Sequence, residues 1–302
     1  MSYDVVIVGG GPAGLSAALA LGRARKRVLL CDSGPPRNAA AHQIHNFVTR
    51  DGTPPAEFRR IAREQLVPYA SVEVRDERIA HLEGEPGRFH VQLASGVVEA
   101  RRILLAVGMI DDLPPTPGFR ELWGKAIFQC PYCHGWEVQD RRFGALISAA
   151  AWVEYPLFLK AWTSDVMLFT DGQFEVPAET RDRLKNAGIP VEERRIRSLS
   201  PSADGQHLEA IELEDGTRVP RDVLFAKPPQ RQTDLVLKAG VALDQQGFVS
   251  VDQHMATSRP GIYAAGDLTT MAQGAITGAA AGTMAAARLN HELTIALLEG
   301  RP

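Results

Sequence analysis

Gly9, Gly11 and Gly14 stand between an apolar run and an alanine- and leucine-rich segment, and that placement constrains the fold more than any other feature. The run Val5-Val6-Ile7-Val8 is β-branched and apolar throughout, which suits a strand buried in a parallel sheet. Pro12 and Ala13 complete the turn, and Leu15 to Ala24 predicts a helix. Val28 to Cys31 predicts the next strand, ending on Asp32. In such a strand–turn–helix the first glycine makes the tight turn and the second lets backbone approach a pyrophosphate. The third lets helix and strand pack closely. The helix start then offers free N–H groups and the positive end of its dipole to phosphate. Asp32 falls where an acid binds ribose hydroxyls. The expected class is α/β, opening on a Rossmann-like dinucleotide-binding unit.

Composition bounds the rest. A chain of 302 residues has room for about two domains. Lys plus Arg is 33 against 36 Asp plus Glu, a net charge of −3, which argues against nucleic acid as a partner. Three cysteines are too few, and odd in number, for a disulfide-framed secreted scaffold. The chain enters its first apolar run directly after Met1-Ser2-Tyr3-Asp4, without the basic region of a signal peptide. The alanine-rich stretch Ala275 to Ala287 is broken by Thr and Gly and falls short of the ~18 apolar residues of a bilayer span. A cytoplasmic protein with no membrane partner is expected.

Cys130-Pro131-Tyr132-Cys133-His134-Gly135 is the expected redox centre. Two cysteines at this spacing close a small disulfide loop, and a helix start favours the thiolate. A following histidine serves as acid or base near neutral pH. A structural zinc site would want a second cysteine pair. The only other cysteine, Cys31, lies in a predicted strand and reads as a small buried hydrophobe. No metal is expected.

A second fingerprint, Pro260 to Asp267, predicts a strand ending on Gly266-Asp267, followed by a helix from Gln273 to Leu293. Gly-Ile-Tyr-Ala-Ala-Gly-Asp resembles the second flavin signature of the two-dinucleotide-binding-domain flavoproteins. Ile103 to Gly108 is similar to their strand end, with Val107 in place of Thr. With the cysteine pair between the two signatures, nearly the whole chain resembles low-molecular-weight thioredoxin reductase. Cys-Pro-Tyr-Cys-His-Gly-Trp-Glu is closest to the small-molecule dithiol oxidase branch, the gliotoxin-oxidase type, where His follows the second Cys.

The resemblance implies FAD as cofactor, two Rossmann-like domains and a homodimer. The flavin domain would be split into residues 1–113 and 238–302, around an NADPH-domain-like insert at 117–229 carrying the cysteine pair. It implies a flavin site drawn from Gly9, Gly11, Pro12, Ala13, Gly14, Asp32, Ser33, Arg37, Asn38, His45, Asn46 and Ile79. The second half of that site would come from Ala106, Val107, Gly108, Gly266, Asp267, Gln273, Gly274, Ala275 and Ile276, Gln273 standing where the reductases carry Arg. It also implies that Cys133 faces the flavin, that Cys130 exchanges with substrate, and that His134 moves the proton.

The insert departs from the reductase pattern. Phe143 to Ile147 predicts a strand, Trp152 to Ala161 its helix and Val166 to Phe169 the next strand. Between the first two, where a reductase has a second glycine-rich turn, stands Ser148-Ala149-Ala150-Ala151-Trp152-Val153. After the second strand, in place of a basic cluster for a 2′-phosphate, stands Thr170-Asp171-Gly172. Asp171 would repel that phosphate, although an acid there suits the ribose of NADH. The expected activity is oxidation of a small-molecule or protein dithiol, with electrons leaving through FAD to oxygen. Two alternatives stand beside it. One is a reductase fed by ferredoxin or a divergent nucleotide site, the other a non-catalytic flavin sensor. The run Glu192 to Arg195 reads as a solvated face, and the proline-rich stretches 111–118 and 226–229 as the two inter-domain crossings.

Overall fold

The computed structural model describes residues 2–299. The chain divides into two compact α/β units. One gathers Met1–Ala39, Thr53–Ile110 and Arg231–Pro302, the other Ala40–Gly52 and Asp111–Gln230.

In the first unit β1 (Ser2–Val8) leads through the glycine turn into α1 (Pro12–Arg23) and back to β2 (Val28–Cys31). β2 pairs parallel with β1, Val5 opposite Val28 and Val8 opposite Cys31. Val72–Arg75 continues the sheet beyond β2, and Gly96–Leu105 flanks β1 on its other side. Ile262–Ala264 adds in parallel to Ile103, Leu104 and Leu105, while the antiparallel strands Arg88–Leu93 and Ile79–Glu85 extend from the first half of Gly96–Leu105. Val5–Val8, Val28–Cys31 and Ile103–Leu105, the central stretches, are apolar at every position because both faces are covered. Val5, Ile7 and Leu30 face α1 and the long helix Ala275–Leu298. Val6, Val8 and Leu29 face a second core with Phe89, Ile103 and Ile262.

α1 and the long helix cross in backbone contact. A Cβ on Gly282 would lie 2.0 Å from Ala13 O, whereas one on Gly278 would have nothing nearer than 3.8 Å. Gly282→Ala therefore pries the helices apart and is expected to cost about 2 kcal/mol, the scale of overpacking a close contact. Gly278→Ala should leave the thermal midpoint unchanged or raised. Equal midpoints for the two variants in a calorimetric scan would refute this.

The second unit is built on a five-stranded parallel sheet. Its spatial order is Val191–Glu192, Val166–Phe169, Phe143–Leu146, Val223–Ala226 and Ile127–Phe128. A three-stranded antiparallel sheet, Ile196–Pro201, Leu208–Leu213 and Arg218–Pro220, closes one core around Phe119, Phe169, Ile211 and Leu224. The two crossings hydrogen-bond to each other: Gln230 Nε2 donates to Asp111 Oδ1 at 2.8 Å, and Asp112 N to Pro229 O at 2.9 Å.

Three details differ from the sequence expectations. Residues 40–52, placed within 1–113 by the sequence, group with the second unit. Gly124 packs so tightly on Ala40 that a Cβ there would lie 2.8 Å from Ala40 Cβ, and Asn46 Nδ2 donates to Tyr132 O at 2.6 Å. The helix expected over Trp152–Ala161 is broken into a 3₁₀ turn, Ala150–Trp152, and a five-residue helix, Tyr155–Leu159, with Pro156 in its first turn. Proline carries no N–H to continue a preceding helix. The run Glu192–Arg195 is not a solvated face throughout. Glu192 is buried at the end of a paired strand, where Arg194 Nη2 holds its carboxylate at 2.6 Å. Among the described residues no helix is long and apolar enough to cross a membrane.

Candidate functional site

The first unit holds a cradle for a dinucleotide. Gly9 has φ +112°, a backbone state that side chains avoid, and its Cβ would lie 2.3 Å from Ala106 O. A Cβ on Gly14 would meet Gly9 O at 1.9 Å, so turn and helix are in contact there. At Gly11, by contrast, a Cβ would meet nothing within 4 Å, and no side chain caps α1. The uncapped N–H groups of the first turn, with Pro12 and Ala13 on it, therefore border open space, as a bound pyrophosphate requires.

Asp32 is buried at the end of β2 and receives Arg59 and, at 2.9 Å, Arg63, both from α2 (Pro55–Glu64). The Nε groups of Arg59 and Arg63 are buried without a partner among the described residues. Such donors beside a carboxylate fit the ribose and phosphate oxygens of a nucleotide. Sequence reasoning missed both arginines, although their i, i+4 spacing on an amphipathic helix was a usable signal. Ser33 and Asn38 are exposed on the loop that follows. Ile79 lies in the core, which leaves only its backbone to offer a cofactor.

The other half of the cradle gathers around Asp267. Arg37 Nη1 donates to Asp267 Oδ2 at 3.2 Å and to Gln273 Oε1 at 2.6 Å, and Gly274 N donates to Asp267 Oδ1 at 3.3 Å. Gln273 thus keeps an arginine at this place, supplied by Arg37. Gly266 backs onto Ala13, where a Cβ would come within 3.1 Å of Ala13 Cβ. Ala275 and Ile276 open the long helix, whose start carries no side-chain cap. Ala106 continues the sheet through its N–H to Val8 O at 2.8 Å, and Val107 and Gly108 follow it. The residues of this cradle fit FAD.

The second unit holds the cysteine pair. Cys130 caps the one-turn helix Pro131–His134, and Cys133 Sγ lies 2.6 Å from Cys130 Sγ. Cys130 has its pKa lowered to about 6. The Cys133 thiol contributes most by donating to it. The Cys133 N–H, the Lys227 ammonium and the Tyr132 N–H add to this, against the opposing effect of burial. Cys130 is thus a thiolate at neutral pH. Cys31, in β2, is pushed by burial up to about 12 and is inert.

His134 stacks on Phe128 with ring centroids 4.4 Å apart, and neither ring nitrogen has a partner among the described residues. Burial first, then repulsion from His45 and His42, lowers its pKa to about 4. His45 and Asn46 lie on the 40–52 segment of this same unit. His45 Nε2 stands 3.4 Å from Glu137 and its Nδ1 3.4 Å from Asp51. Asn46, at φ +63°, a conformation asparagine tolerates, reaches the redox turn through Tyr132 O.

Beside Cys130 opens a cavity of about 390 Å³ walled by Tyr132, Trp152, Tyr155, Phe158 and Lys227. The sequence marked Tyr132 within the redox motif and Trp152 within the glycine-free turn, but none of these residues as the wall of a cavity. Among the described residues no three His, Cys, Asp or Glu side chains are grouped to hold a metal ion.

The strand Phe143–Leu146 and the turn after it lie where a second nucleotide site would be. The turn has no glycine, and Trp152 ends it. Glu154 stands at the start of the short helix that follows, its carboxylate paired with Arg183. Asp171 Oδ1 accepts from Ile196 N at 2.6 Å and so pins the start of the next sheet.

The sequence matches the family described as pyridine nucleotide-disulphide oxidoreductase over residues 3–154 and 161–294. It is 32% identical over 306 residues to the thioredoxin reductase tcpT of Claviceps purpurea, covering 96% of this chain and 95% of that protein. Among solved structures, an oxidoreductase from Agrobacterium tumefaciens is similar with a TM-score of 0.90 at 35% identity, over 98% of this chain and 99% of that one. HlmI is similar with a TM-score of 0.93, also at 35% identity, over 99% and 95% of the two chains.

Proposed function

This chain belongs to the pyridine nucleotide-disulphide oxidoreductase family, and from that premise we propose that it is a dithiol oxidase with no working NADPH site. It is an FAD-dependent disulfide oxidoreductase of the thioredoxin reductase-like kind, acting on dithiol or disulfide substrates. The direction of electron flow is the proposal. One observation carries it: the turn that would hold a second dinucleotide lacks the glycines such a turn needs. Ser148 to Val153 contains no glycine, bulky Trp152 ends the 3₁₀ turn, and acidic Glu154 stands at the start of the helix, where a pyrophosphate would need free N–H groups.

In this mechanism one substrate thiolate attacks Cys130 Sγ of the oxidised pair. The Cys130–Cys133 bond breaks and Cys133 leaves as a thiolate. The second substrate thiol gives up its proton and attacks the first substrate sulfur. The mixed disulfide breaks and Cys130 leaves. The substrate has then lost two electrons and two protons, and the cysteine pair has gained two electrons. A leaving thiolate departs faster the lower its pKa, and the Lys227 ammonium and the Tyr132 N–H favour the thiolate at Cys130. His134 is held neutral, so its ring nitrogens are free to take the substrate proton, and its lowered basicity makes it give that proton up readily. Gly9, Gly11, Gly14, Arg37 and Asp267 would hold FAD, which would supply the two-electron chemistry that oxygen as the final acceptor requires.

A second reading, a reductase with a divergent nucleotide site, has one feature in its favour. Arg195 stands beside the turn after Phe169, its Cγ 3.2 Å from where a Gly172 Cβ would be. An anaerobic titration of the bound flavin separates the two. NADPH and NADH at micromolar levels are expected to leave the flavin oxidised and dithiothreitol to bleach it, with peroxide formed when air is readmitted. Bleaching by either nucleotide would establish the reductase instead. Bleaching only by reduced ferredoxin would establish a ferredoxin-fed enzyme.

A further inference from the structure

We propose that the glycine-free turn after Phe143–Leu146 is a cation holder: Trp152, with Tyr155, positions the Lys227 ammonium beside Cys130, and Lys227 makes the Cys130–Cys133 pair easier to reduce. This goes beyond the oxidase reading above and holds for either direction of electron flow.

Three neighbouring strands of the parallel sheet bring the parts to one edge. Ile127–Phe128 pairs with Val223–Ala226, Phe128 opposite Phe225. Two residues beyond that pair come Cys130 on one segment and Lys227 on the other. Val223–Ala226 pairs on its other side with Phe143–Leu146, Ala226 opposite Leu146, and the chain then enters the turn that ends on Trp152. The carboxyl ends of parallel strands are where an α/β sheet assembles a site from separate segments.

The holder is aromatic. The Lys227 ammonium lies 5.2 Å from the ring centroid of Trp152 and 4.7 Å from that of Tyr155. Both lie within the ~6 Å at which a ring face attracts a cation. Tyr155 is buried, and its hydroxyl donates at 3.1 Å to the carbonyl of Gln129, the residue before Cys130. One wall of the holder is therefore tied to the redox segment itself. A lysine side chain gives up rotamer freedom on the order of 2 kcal/mol to stay in one place. Two ring faces offset part of that cost and keep the charge where the sulfur is.

Cys130, Trp152, Tyr155 and Lys227 line one cavity, and among the described residues Lys227 is the only cation on its wall. The other ionisable groups around Cys130 leave that charge in force. Glu154, on the same wall, gives its carboxylate to Arg183. Tyr155 stays protonated, its hydroxyl pushed up by burial and then by the two cysteines. His134, on the redox turn, is neutral at pH 7. The Cys133 thiol does most to favour the Cys130 thiolate, and Lys227 adds to it. A disulfide carries no charge, so the ammonium stabilises the reduced pair over the oxidised one.

The test reads the cysteine pair of the holoprotein, held without oxygen in glutathione buffers and equilibrated from both directions. Thiols are trapped with a polyethylene glycol maleimide and counted by gel shift. At about pH 8, Lys227→Met keeps the stem and loses the charge, and half-reduction is expected to need a ratio of squared reduced to oxidised glutathione about fivefold higher, about 20 mV. Lys227→Arg should stay within about twofold of wild type, because a guanidinium also stacks on ring faces. Trp152→Leu should shift the midpoint the same way by about twofold or more, and should add nothing once Lys227 is replaced by Met. At about pH 5, below the Cys130 pKa of about 6, all the curves should coincide. A Lys227→Met curve that matches wild type at the higher pH, or is displaced equally at both, overturns the role of the charge. A Trp152→Leu shift that persists in full beside Lys227→Met overturns the holder. No dithiol substrate, nucleotide or oxygen enters the measurement, so failure of the oxidase reading shows separately, in the flavin titration.

Discussion

Cys130→Ser is expected to slow dithiol-driven bleaching of the flavin by at least about a thousandfold, the scale set by deleting a reacting group. The serine hydroxyl cannot form the mixed disulfide, and nothing else in the cavity wall carries sulfur. Cys133→Ser should behave differently. It leaves Cys130 open to the cavity and able to bond one substrate sulfur, but without the partner that closes the internal disulfide. Mass spectrometry of Cys133→Ser exposed to a cyclic disulfide should find one substrate equivalent on Cys130. A companion measurement is the pH profile of alkylation by iodoacetamide. In the reduced wild type, Cys130 should react half-maximally near its pKa of about 6. In Cys133→Ser the profile should move to higher pH, because the donating thiol is the largest cause of the lowered value. Capture of substrate on Cys133 in the Cys130→Ser protein, at an undiminished rate, would reverse the assignment.

How much of this was legible in the sequence depended on how local each cause is. Val28–Cys31 and Val166–Phe169 emerged with the predicted bounds, since a short apolar run between turn residues has few other ways to be buried. The glycine cradle was readable because Gly9, Gly11 and Gly14 act within one turn. Long-range features were not. Tyr155 and Lys227 reach Cys130 from 25 and 97 residues further along the chain, and no periodicity marks them. The 40–52 loop reads as part of the flavin half because it follows Asp32 in sequence. Its partners Tyr132 and Glu137 lie far along the chain. Glu192 to Arg195 reads as solvated because charge runs usually are, yet parallel pairing of the preceding strand carries Glu192 inside, with Arg194 to neutralise it.

His134 should make the fold acid-sensitive. Its pKa is about 4 in the folded chain against the ordinary 6.5, so between those values the unfolded chain binds more protons. Stability therefore rises with pH through that window and is lost as pH falls. At 1.36 kcal/mol per unit, the full loss approaches about 3 kcal/mol, with about 2 kcal/mol gone by roughly pH 5. The cause is local. The imidazole is stacked on Phe128, both nitrogens lack a partner among the described residues, and His45 and His42 repel a charge placed there. His134→Phe keeps the ring stack and removes the titration, so urea unfolding of this variant should show a flatter acid limb than wild type. Asn would keep polarity without the proton and should flatten the limb as well. An acid limb unchanged in both variants would show that His134 is not its source. The same variants test the chemistry independently. If His134 carries the substrate proton, both lose turnover with a dithiol at neutral pH, and for His134→Phe, which keeps the ring stack, the loss comes without a loss of stability. If it only packs against Phe128, His134→Phe keeps its turnover.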